Sequence, residues 1–240
     1  MLNSHEALIF QLSAQGELSL DDQRAILTIP MISRSFAPRD FLGREGKSVS
    51  KCAILTQGFA VRQKLTSQGD RQIVSLHGPG DVLNFQNAFL EFSDYDLRSV
   101  EECSVSFFDA SAIRSLAAER PAVAHSLLVG AFIEASTARE WMLNLGRRSA
   151  RTRLAHFLCE YLDRISLQRH PADGKYELRL TQEQIGDATG MTAVHVNRML
   201  KALQTDNLIG HLGRFISVPN IEALMDAGEY SRRYLRLPHF

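Results

Sequence analysis

The stretch TQEQIGDATGMTAVHVNRMLKAL, residues 181–203, predicts two short helices joined by a tight turn. Thr181 can cap the first helix, and Gln184 three residues later completes a capping box. Gly190 supplies the backbone freedom that such a turn requires, and Thr192 can cap the second helix. The segment is therefore predicted to be a helix-turn-helix.

The second helix is predicted to have two different faces. Its apolar residues recur at i, i+3, i+4 and i+7 and form an inward face: Val196, Met199, Leu200 and Leu203. At about 100° per residue, the outer face and its flanks hold Val194, Arg198, Lys201, His195 and Asn197. Arginine can donate two parallel hydrogen bonds to guanine and lysine can contact phosphate, so this face suits the major groove of a DNA duplex. The alternative is an ordinary amphipathic hairpin with a solvated face.

The composition is typical of a globular protein. Of the 240 residues, 45% are hydrophobic and 22% are charged, enough for one large or two modest domains. No apolar run approaches the ~20 residues of a membrane span, and the N-terminal residues lack the pattern of a signal peptide. Cys52, Cys103 and Cys159 are widely separated, which argues for a reducing compartment and predicts buried thiols without a metal.

The net charge is zero but unevenly distributed. Residues 1–146 hold 13 Lys and Arg against 17 Asp and Glu, a net charge of −4. Residues 147–240 hold 14 against 10, a net charge of +4. This asymmetry suggests that the C-terminal part meets a polyanion.

The N-terminal half predicts two helices followed by a β unit. Helices extend to about Leu27, with a cap at Ser19 before the second. Between residues 32 and 108 short strands alternate with polar turns, and three glycines fall at equal intervals: Gly58, Gly69 and Gly80. A GPGD turn at 78–81 and a hairpin tip around Gly69 complete the pattern of an all-β unit.

A long helix is predicted at residues 121–145, after a strand at 104–108 and a helix at 110–118. Small and apolar residues form a heptad seam along it: Ala124, Leu128, Ala131, Ala135, Ala138, Met142 and Leu145. The seam predicts a partner helix from a second copy, or packing against the β unit, or both. Gly146 is predicted to interrupt the helix and serve as a hinge before a basic run.

The C-terminal third predicts a winged helix-turn-helix. A helix at 153–167, a turn at 171–175 and a strand at 176–180 precede the two helices already described. Beyond them, TDNLIGHLGRFISV predicts a two-stranded wing with Gly213 at its tip.

In this order of parts the chain resembles the Crp/Fnr family of bacterial transcription regulators over nearly its whole length. The β-unit glycines with GPGD, the long helix, and LTQEQIGDATGMTAVHVNRMLKALQTDNLI followed by GRFISV carry the resemblance. It implies an α+β fold with three parts: a jelly-roll sensor related to cyclic-nucleotide-binding domains at 1–120, a dimerisation helix and hinge at 121–146, and a DNA-binding winged helix-turn-helix at 147–240. It further implies a cytoplasmic homodimer that binds near-palindromic double-stranded DNA through residues 192–203 and contacts RNA polymerase, with no membrane partner.

The helical face and the family match together assign seven DNA-binding residues: Gln182, Thr192, Val194, His195, Asn197, Arg198 and Lys201. Arg198 matches the guanine-reading arginine of the family. Val194 stands where the best-known members carry a glutamate, and it could only meet a thymine methyl group. Arg147 and Arg148 near the hinge are expected to touch the DNA backbone, the alternative being simple solvation.

The sensor part departs from the cyclic-AMP binders, which carry a Gly-Glu pair after the GD and an Arg-Ser pair later. Asn84 and Phe85 stand in place of Gly-Glu, and phenylalanine cannot accept a ribose hydroxyl. Arg98 and Ser99 are kept and are the candidate effector-binding residues. Arg98 could pair with a phosphate, although we favour an ion pair with a neighbouring aspartate, Asp94 or Asp96.

No cofactor is expected. The cysteine cluster that holds an iron–sulfur centre in oxygen-sensing members is missing. His77 and His125 are formal candidates for haem ligation, but a structural role is favoured for each. There is no metal-ligand spacing, no nucleophile–base motif and no Walker loop, so the sequence does not predict an enzyme.

Two other functions stay open. One is a receptor for a cyclic nucleotide or another small ligand that controls DNA binding. The other is a protein-interaction module that keeps the winged helix without affinity for DNA.

Overall fold

The computed structural model describes residues 3–166 and 175–235, which form two units. The first unit comprises Met1–Lys64 and Ser75–Glu134, and the second comprises Leu65–Val74 and Ala135–Phe240. The helices of the described residues are α1 Ser4–Gln15, α2 Leu20–Leu27, α3 Ala110–Glu119, α4 Pro121–Arg147, α5 Ala150–Ser166, α6 Gln182–Thr189, α7 Ala193–Thr205 and α8 Ile221–Ala227. The strands are β1 Ile32–Phe36, β2 Phe41–Gly43, β3 Lys51–Gln57, β4 Ala60–Leu65, β5 Arg71–His77, β6 Asp96–Ser99, β7 Cys103–Asp109, β8 Lys175–Glu177, β9 Gly210–Leu212 and β10 Phe215–Ser217.

The predicted β unit is confirmed as a β-roll of two antiparallel sheets. One sheet has the order β1-β7-β3 and the other β2-β6-β4-β5. Because side chains alternate along a strand, each sheet presents two different faces. Leu55, Leu97 and Val105 belong to a core within the roll, whereas Ile54 and Phe108 join a second core with the N-terminal helices.

Local signals account for the boundaries of several elements. Ser19 accepts a hydrogen bond from the amide of Asp22 and caps α2, as predicted. Gly58, with φ of +91°, forms the turn between β3 and β4, where an added Cβ would lie 2.3 Å from the carbonyl oxygen of Glu102. Only glycine therefore fits this turn without a shift of the backbone.

The long helix α4 begins at Pro121 as predicted but ends later than predicted. It continues through Gly146 to Arg147, and the break before α5 falls at Arg148 and Ser149. The prediction that Gly146 interrupts the helix is wrong because a single exposed glycine costs a helix only about 1 kcal/mol. Taken singly, none of the described helices has the length and apolarity needed to cross a membrane; only α3 and α4 together, bent by 119°, meet the criteria of length and composition.

The second unit packs α5 against α7 and α8. Trp141 of α4, the single tryptophan of the chain, is 7% exposed, and its indole N–H donates to Glu160 of α5 at 2.9 Å. The wing is confirmed: β9 and β10 pair around Gly213, and β8 pairs with β10. The strand predicted at 176–180 is shorter and runs from 175 to 177, while the predicted turn at 171–175 and the end of the predicted helix at Leu167 lie almost wholly outside the described residues.

Candidate nucleic-acid interface

The turn between α6 and α7 is built as its sequence predicts. Thr181 accepts a hydrogen bond from the amide of Gln184, and the Gln184 side chain accepts one from Thr181 in return. Gly190 ends α6 with φ of +64°, in the left-handed region that favours glycine. Thr192 then caps α7 by accepting a hydrogen bond from the amide of His195 at 3.2 Å. These local interactions fix the direction in which α7 leaves the turn.

The inner face of α7 is firmly buried. Val196, Leu200 and Leu203 are at most 1% exposed, and Met199 is half-buried beside them. Burying three such side chains contributes roughly 1.5–3 kcal/mol each. The rotation of α7 about its axis is therefore set by its own apolar residues.

The outer face of α7 is open, as the helical period predicts. Val194 is 82% exposed, and Arg198 and Lys201 are also exposed. Across the residues that the structure covers, neither basic side chain forms an ion pair. A groove of about 430 Å³ runs along this face and is lined by Gln182, Ala193, Val194, Asn197, Arg198 and Lys201.

The structure thus brings five of the seven predicted residues together in one groove, and it places the other two at the start of α7. Gln182 and Asn197 contact each other, since the Asn197 amide donates to Gln182 Oε1 at 3.3 Å. Thr192 is exposed at the cap, and His195 is half-buried. Ala193, which also lines the groove, was not predicted because its methyl group carries no chemical signal.

Sequence reasoning also missed Arg153, which supports the interface from α5. Its guanidinium donates to three backbone carbonyls, those of Asn144, Arg148 and Thr189, at 2.9–3.0 Å. Asn144 and Thr189 lie in the last turns of α4 and α6, where carbonyl groups lack helical partners. Arg153 therefore caps both helix ends, although the sequence presents it only as part of a basic run.

A second missed contact holds α6 through the segment Leu65–Val74. The Arg71 guanidinium pairs with Asp187 of α6 at 2.5 Å and lies 3.6 Å from Glu183. Gln72 donates to the carbonyl of Ala188 at 3.4 Å. Burial raises the pKa of Asp187, and Arg71 opposes that shift. No local pattern predicts a contact between residues 116 positions apart.

Arg148 does not fulfil the prediction of a DNA-backbone contact. Its side chain is 6% exposed and pairs with Glu140 at 2.6 Å and Glu229 at 3.2 Å. A buried, doubly paired guanidinium is not available to a phosphate, so this prediction is wrong. Arg147, one residue earlier, is exposed.

The candidate effector residues Arg98 and Ser99 lie in β6 of the first unit. Arg98 donates to the carbonyl of Arg39 at 2.6 Å, and its guanidinium lies 4.5 Å from the ring centre of Phe41. The Ser99 hydroxyl donates to the carbonyl of Ala37 at 2.6 Å. Both side chains therefore hold the backbone of the β1–β2 connection, and neither lines the cavity inside the roll.

Another arginine, Arg62 of β4, lies inside the roll and was not singled out from the sequence. It donates to the carbonyl of Leu83 at 2.7 Å and pairs with Glu134 of α4 at 2.8 Å. Its guanidinium also lies 4.7 Å from the ring centre of Tyr95. The side chain is 9% exposed, and burial raises the pKa of the neighbouring Tyr95 to about 12.

The cysteines and histidines considered as metal or haem ligands differ in burial. The three cysteines are buried and form no disulfide, and burial raises the pKa of the Cys52 thiol to about 12. His77 is buried, with Nε2 3.0 Å from the Ser75 hydroxyl, whereas His125 is exposed. Among the described residues, no group of three or more His, Cys, Asp or Glu side chains is placed to hold a metal ion.

Two family models match the chain: the cyclic nucleotide-binding domain over residues 33–120 and the Crp-like helix-turn-helix domain over residues 152–227. The transcriptional activator protein FnrL of Cereibacter sphaeroides is 27% identical over 217 residues, which cover 88% of this chain and 87% of that protein. The fumarate and nitrate reduction regulatory protein of Escherichia coli is 23% identical over 191 residues, which cover 80% of this chain and 76% of that protein. The structure of FixK2 from Bradyrhizobium japonicum superimposes with a TM-score of 0.77 and 28% identity, covering 83% of this chain and 98% of FixK2.

Proposed function

The chain belongs to the Crp/Fnr family of bacterial transcription regulators, and on this premise we propose that it binds near-palindromic operator DNA as a homodimer through α7. A member of this family is a regulator of transcription and not an enzyme. The proposal depends above all on one observation. Val194, Arg198 and Lys201 stand exposed on a helix whose opposite face is almost completely buried.

The proposed roles follow from the chemistry of each exposed group. Arg198 donates two parallel hydrogen bonds to the O6 and N7 atoms of a guanine. Val194 contacts the methyl group of a thymine, because it has no hydrogen-bonding atoms in its side chain. Lys201 contacts phosphate, which contributes affinity without sequence information.

The remaining predicted residues have supporting roles in this proposal. Gln182 and Asn197 are joined by a hydrogen bond, so they present their other amide atoms to base edges as one unit. Thr192 and His195 at the start of α7 meet the phosphate backbone, where a helix N-terminus favours an anion. Arg147 contacts the backbone outside the groove, and Arg148 takes no part.

The exposed seam of α4 supports the homodimer. The seam residues Leu128 and Met142 are 54% and 72% exposed, and Phe132 beside the seam is 63% exposed, although large apolar side chains are usually buried. The alanines of the heptad seam at 131, 135 and 138 are also exposed and allow two helices to approach closely. Pairing through α4 gives two copies of α7, and a two-fold dimer sets such helices about 34 Å apart, one turn of DNA.

We further propose that the protein acts in the cytoplasm and contacts RNA polymerase. Both statements are inferred from the family, in which regulators act on promoters. Three buried thiols that form no disulfide are compatible with a reducing compartment.

We expect no iron–sulfur cluster, haem or cyclic nucleotide in this protein. The thiolate is the form of cysteine that ligates metal, and burial disfavours it at Cys52. At the positions of the Gly-Glu pair, the Asn84 side chain accepts a hydrogen bond from the amide of Ala53, and Phe85 has no acceptor for a ribose hydroxyl. Calorimetric titration of the full-length protein with cyclic AMP and cyclic GMP tests this expectation, and binding of either would contradict it.

Selection of bound sequences from random duplex DNA tests the main proposal. We expect the wild-type protein to enrich a two-fold repeat with half-sites one helical turn apart. A variant with Val194→Ala, Arg198→Ala and Lys201→Ala should enrich nothing, while its circular dichroism stays unchanged because all three side chains are exposed. Enrichment of the same repeat by the variant would show that another surface reads the DNA. Failure of the wild-type protein to bind any duplex would favour the protein-interaction module instead.

A further inference from the structure

After α8 the chain crosses α5 in a short segment, residues 228–235, which we call the C-terminal strap. It follows residue 227, where the match to the helix-turn-helix family model ends. An added Cβ at Gly228 would lie 2.6 Å from the backbone nitrogen of His156, so a side chain there would force the strap away from α5. His156 Nδ1 donates to the carbonyl of Gly228 at 3.1 Å, and its ring lies edge-on to Tyr230 of the strap.

Two buried carboxylates of α5 hold the strap. Asp163 accepts a hydrogen bond from the Tyr230 hydroxyl at 2.7 Å and two from the Arg232 guanidinium at 2.8 Å each. Glu160 accepts one from the Tyr234 hydroxyl at 2.7 Å. Burial raises the pKa of both tyrosines, so their hydroxyl groups stay protonated and donate. Because the two carboxylates are three residues apart, they lie on the same side of α5.

The strap is also joined to the end of α4. Glu160 accepts the hydrogen bond from the Trp141 indole as well, so a single carboxylate connects α4, α5 and the strap. At the break between the two helices, Arg148 donates to the carboxylate of Glu229 at 3.2 Å and to its carbonyl at 3.4 Å. The strap therefore has contacts on both sides of the break.

These contacts form a buried polar network, and such a network fixes geometry more than it adds stability. His156 and Glu160 are each 1% exposed. Charged groups lose hydration when they are buried, and their pairing roughly offsets that loss. Any other arrangement of the helices would leave a buried charge without its partner, which is strongly unfavourable. The network is therefore suited to hold one angle between α4 and α5.

We propose that the C-terminal strap is a positioning element for DNA recognition: it fixes the angle between α5 and the end of α4 and thereby selects the spacing of the two half-sites. The inference rests on the proposed function, because spacing matters only to a dimer that is paired through α4. Since α5 packs against α7, the angle of α5 determines where α7 is presented. Arg232 acts through Asp163, and Tyr234 acts through Glu160, without contact to DNA.

A series of duplexes that differ only in the number of base pairs between the selected half-sites tests the proposal. Fluorescence anisotropy measures the affinity of the full-length protein for each duplex. An inserted base pair moves a half-site by about 3.4 Å along the DNA axis and about 35° around it. We expect the wild-type protein to prefer one spacing at least about tenfold over spacings one base pair longer or shorter.

Arg232→Ala is the main variant, and Arg233→Ala is its matched control. Arg232 pairs with Asp163, whereas Arg233 is exposed one position later in the strap. Arg232→Ala should reduce the preference for one spacing to no more than about threefold, because α5 is no longer held at one angle. The base preference within each half-site should stay unchanged, since the outer face of α7 is intact. Arg233→Ala should keep the spacing preference of the wild type.

Tyr234→Phe is a second and milder variant. It removes only the hydroxyl group that donates to Glu160 and keeps the ring that stacks on His156. Its preference for one spacing should fall to about fivefold. Circular dichroism shows whether each variant is folded, and Tyr234→Phe carries the test if Arg232→Ala is not.

Four results would overturn this inference while leaving the proposed function intact. They are a wild-type protein that binds all spacings alike, a wild-type preference kept in the folded strap variants, a loss of affinity by the same factor at every spacing, and an equal loss of preference in Arg233→Ala. The third result is what a merely structural role would produce. A wild-type protein that binds no duplex would instead overturn the proposed function, and this inference with it.

Discussion

Arg198 in α7 and Arg62 in the β-roll have the same side chain in opposite surroundings. Arg198 is exposed on the outer face of a helix and forms no ion pair within the described part of the chain. Arg62 is buried and contacts a carbonyl, a carboxylate and an aromatic ring. The first has all its donors available to an external polyanion, whereas the second uses its donors to join β4 to α4.

The difference shows that the count of basic residues does not locate a DNA-binding surface. Arg148 and Arg153 belong to the basic run after α4, yet each is engaged by groups of its own chain. Conversely, Arg198 and Lys201 are exposed on a well-supported helix, and neither forms an ion pair with another described residue. An arginine is available for recognition only where the fold supplies no acceptor for it, and this is a property of long-range structure.

The largest effect on stability is expected at Arg62. Arg62→Ala should lower the free energy of unfolding by roughly 2–4 kcal/mol, since it removes two hydrogen bonds, an ion pair and buried packing. Urea unfolding followed by circular dichroism measures the change. The matched substitution Arg198→Ala should change stability by no more than about 0.5 kcal/mol. Equal stability of the two variants would remove the contrast between these arginines.

The next effect is on DNA binding at Arg198. Arg198→Ala should cost ~1–3 kcal/mol of binding to the preferred half-site and relax selectivity at one base position. Fluorescence anisotropy with the selected operator and its single-base variants measures both quantities. Arg62→Ala, provided that it is folded at the assay temperature, should keep the base preference of the wild type. If Arg198→Ala leaves selectivity untouched, the proposed position of α7 in the groove is wrong.

The turn before α7 gives a smaller effect on stability. Gly190→Ala should destabilise the protein by about 1–2 kcal/mol, because φ of +64° is unfavourable for a residue with a Cβ. Gly146→Ala is the control with the opposite sign, since Gly146 lies within α4 and an added Cβ has no atom within 4 Å. It should stabilise by about 0.5–1 kcal/mol. Unfolding midpoints in urea distinguish the two, and a stabilising Gly190→Ala would contradict the left-handed turn.

The smallest effect is expected at Lys201. Lys201→Ala should weaken binding to all duplexes alike and reduce the slope of log affinity against log salt by about 0.9, the value for one phosphate contact. Titrations at several salt concentrations with an operator and an unrelated duplex measure it. A loss confined to the operator would assign Lys201 to a base instead of a phosphate.

The helix-turn-helix could be predicted from the sequence because its determinants are local. Thr181, Gln184, Gly190 and Thr192 act within a few residues of themselves, and the helical period separates the two faces of α7. The same local patterns predict the β unit, the start of α4 and the wing. It could not place Arg62, since the partners of that residue come from the distant positions 83, 95 and 134.

Two other errors have the same origin. The sequence predicts a DNA-backbone contact for Arg148 because it shows the basic run but not the contact with Glu229, which lies 81 positions away. The prediction at Gly146 failed because the surrounding helix tolerates a glycine whose local preference is only weakly unfavourable. Arg98 and Ser99 matched a pair of letters in a family pattern, but the backbone of the β1–β2 connection determines what they contact.

The burial of Trp141 gives the molecule an internal optical label. As the single indole of the chain, held by Glu160 and packed edge-on against Phe157, it is the dominant source of long-wavelength emission. Because all three residues belong to the second unit, a shift of that emission toward the red reports loosening of the α4–α5 packing and is blind to changes confined to the β-roll. Unfolding of the DNA-binding part can therefore be followed separately, without attaching a dye.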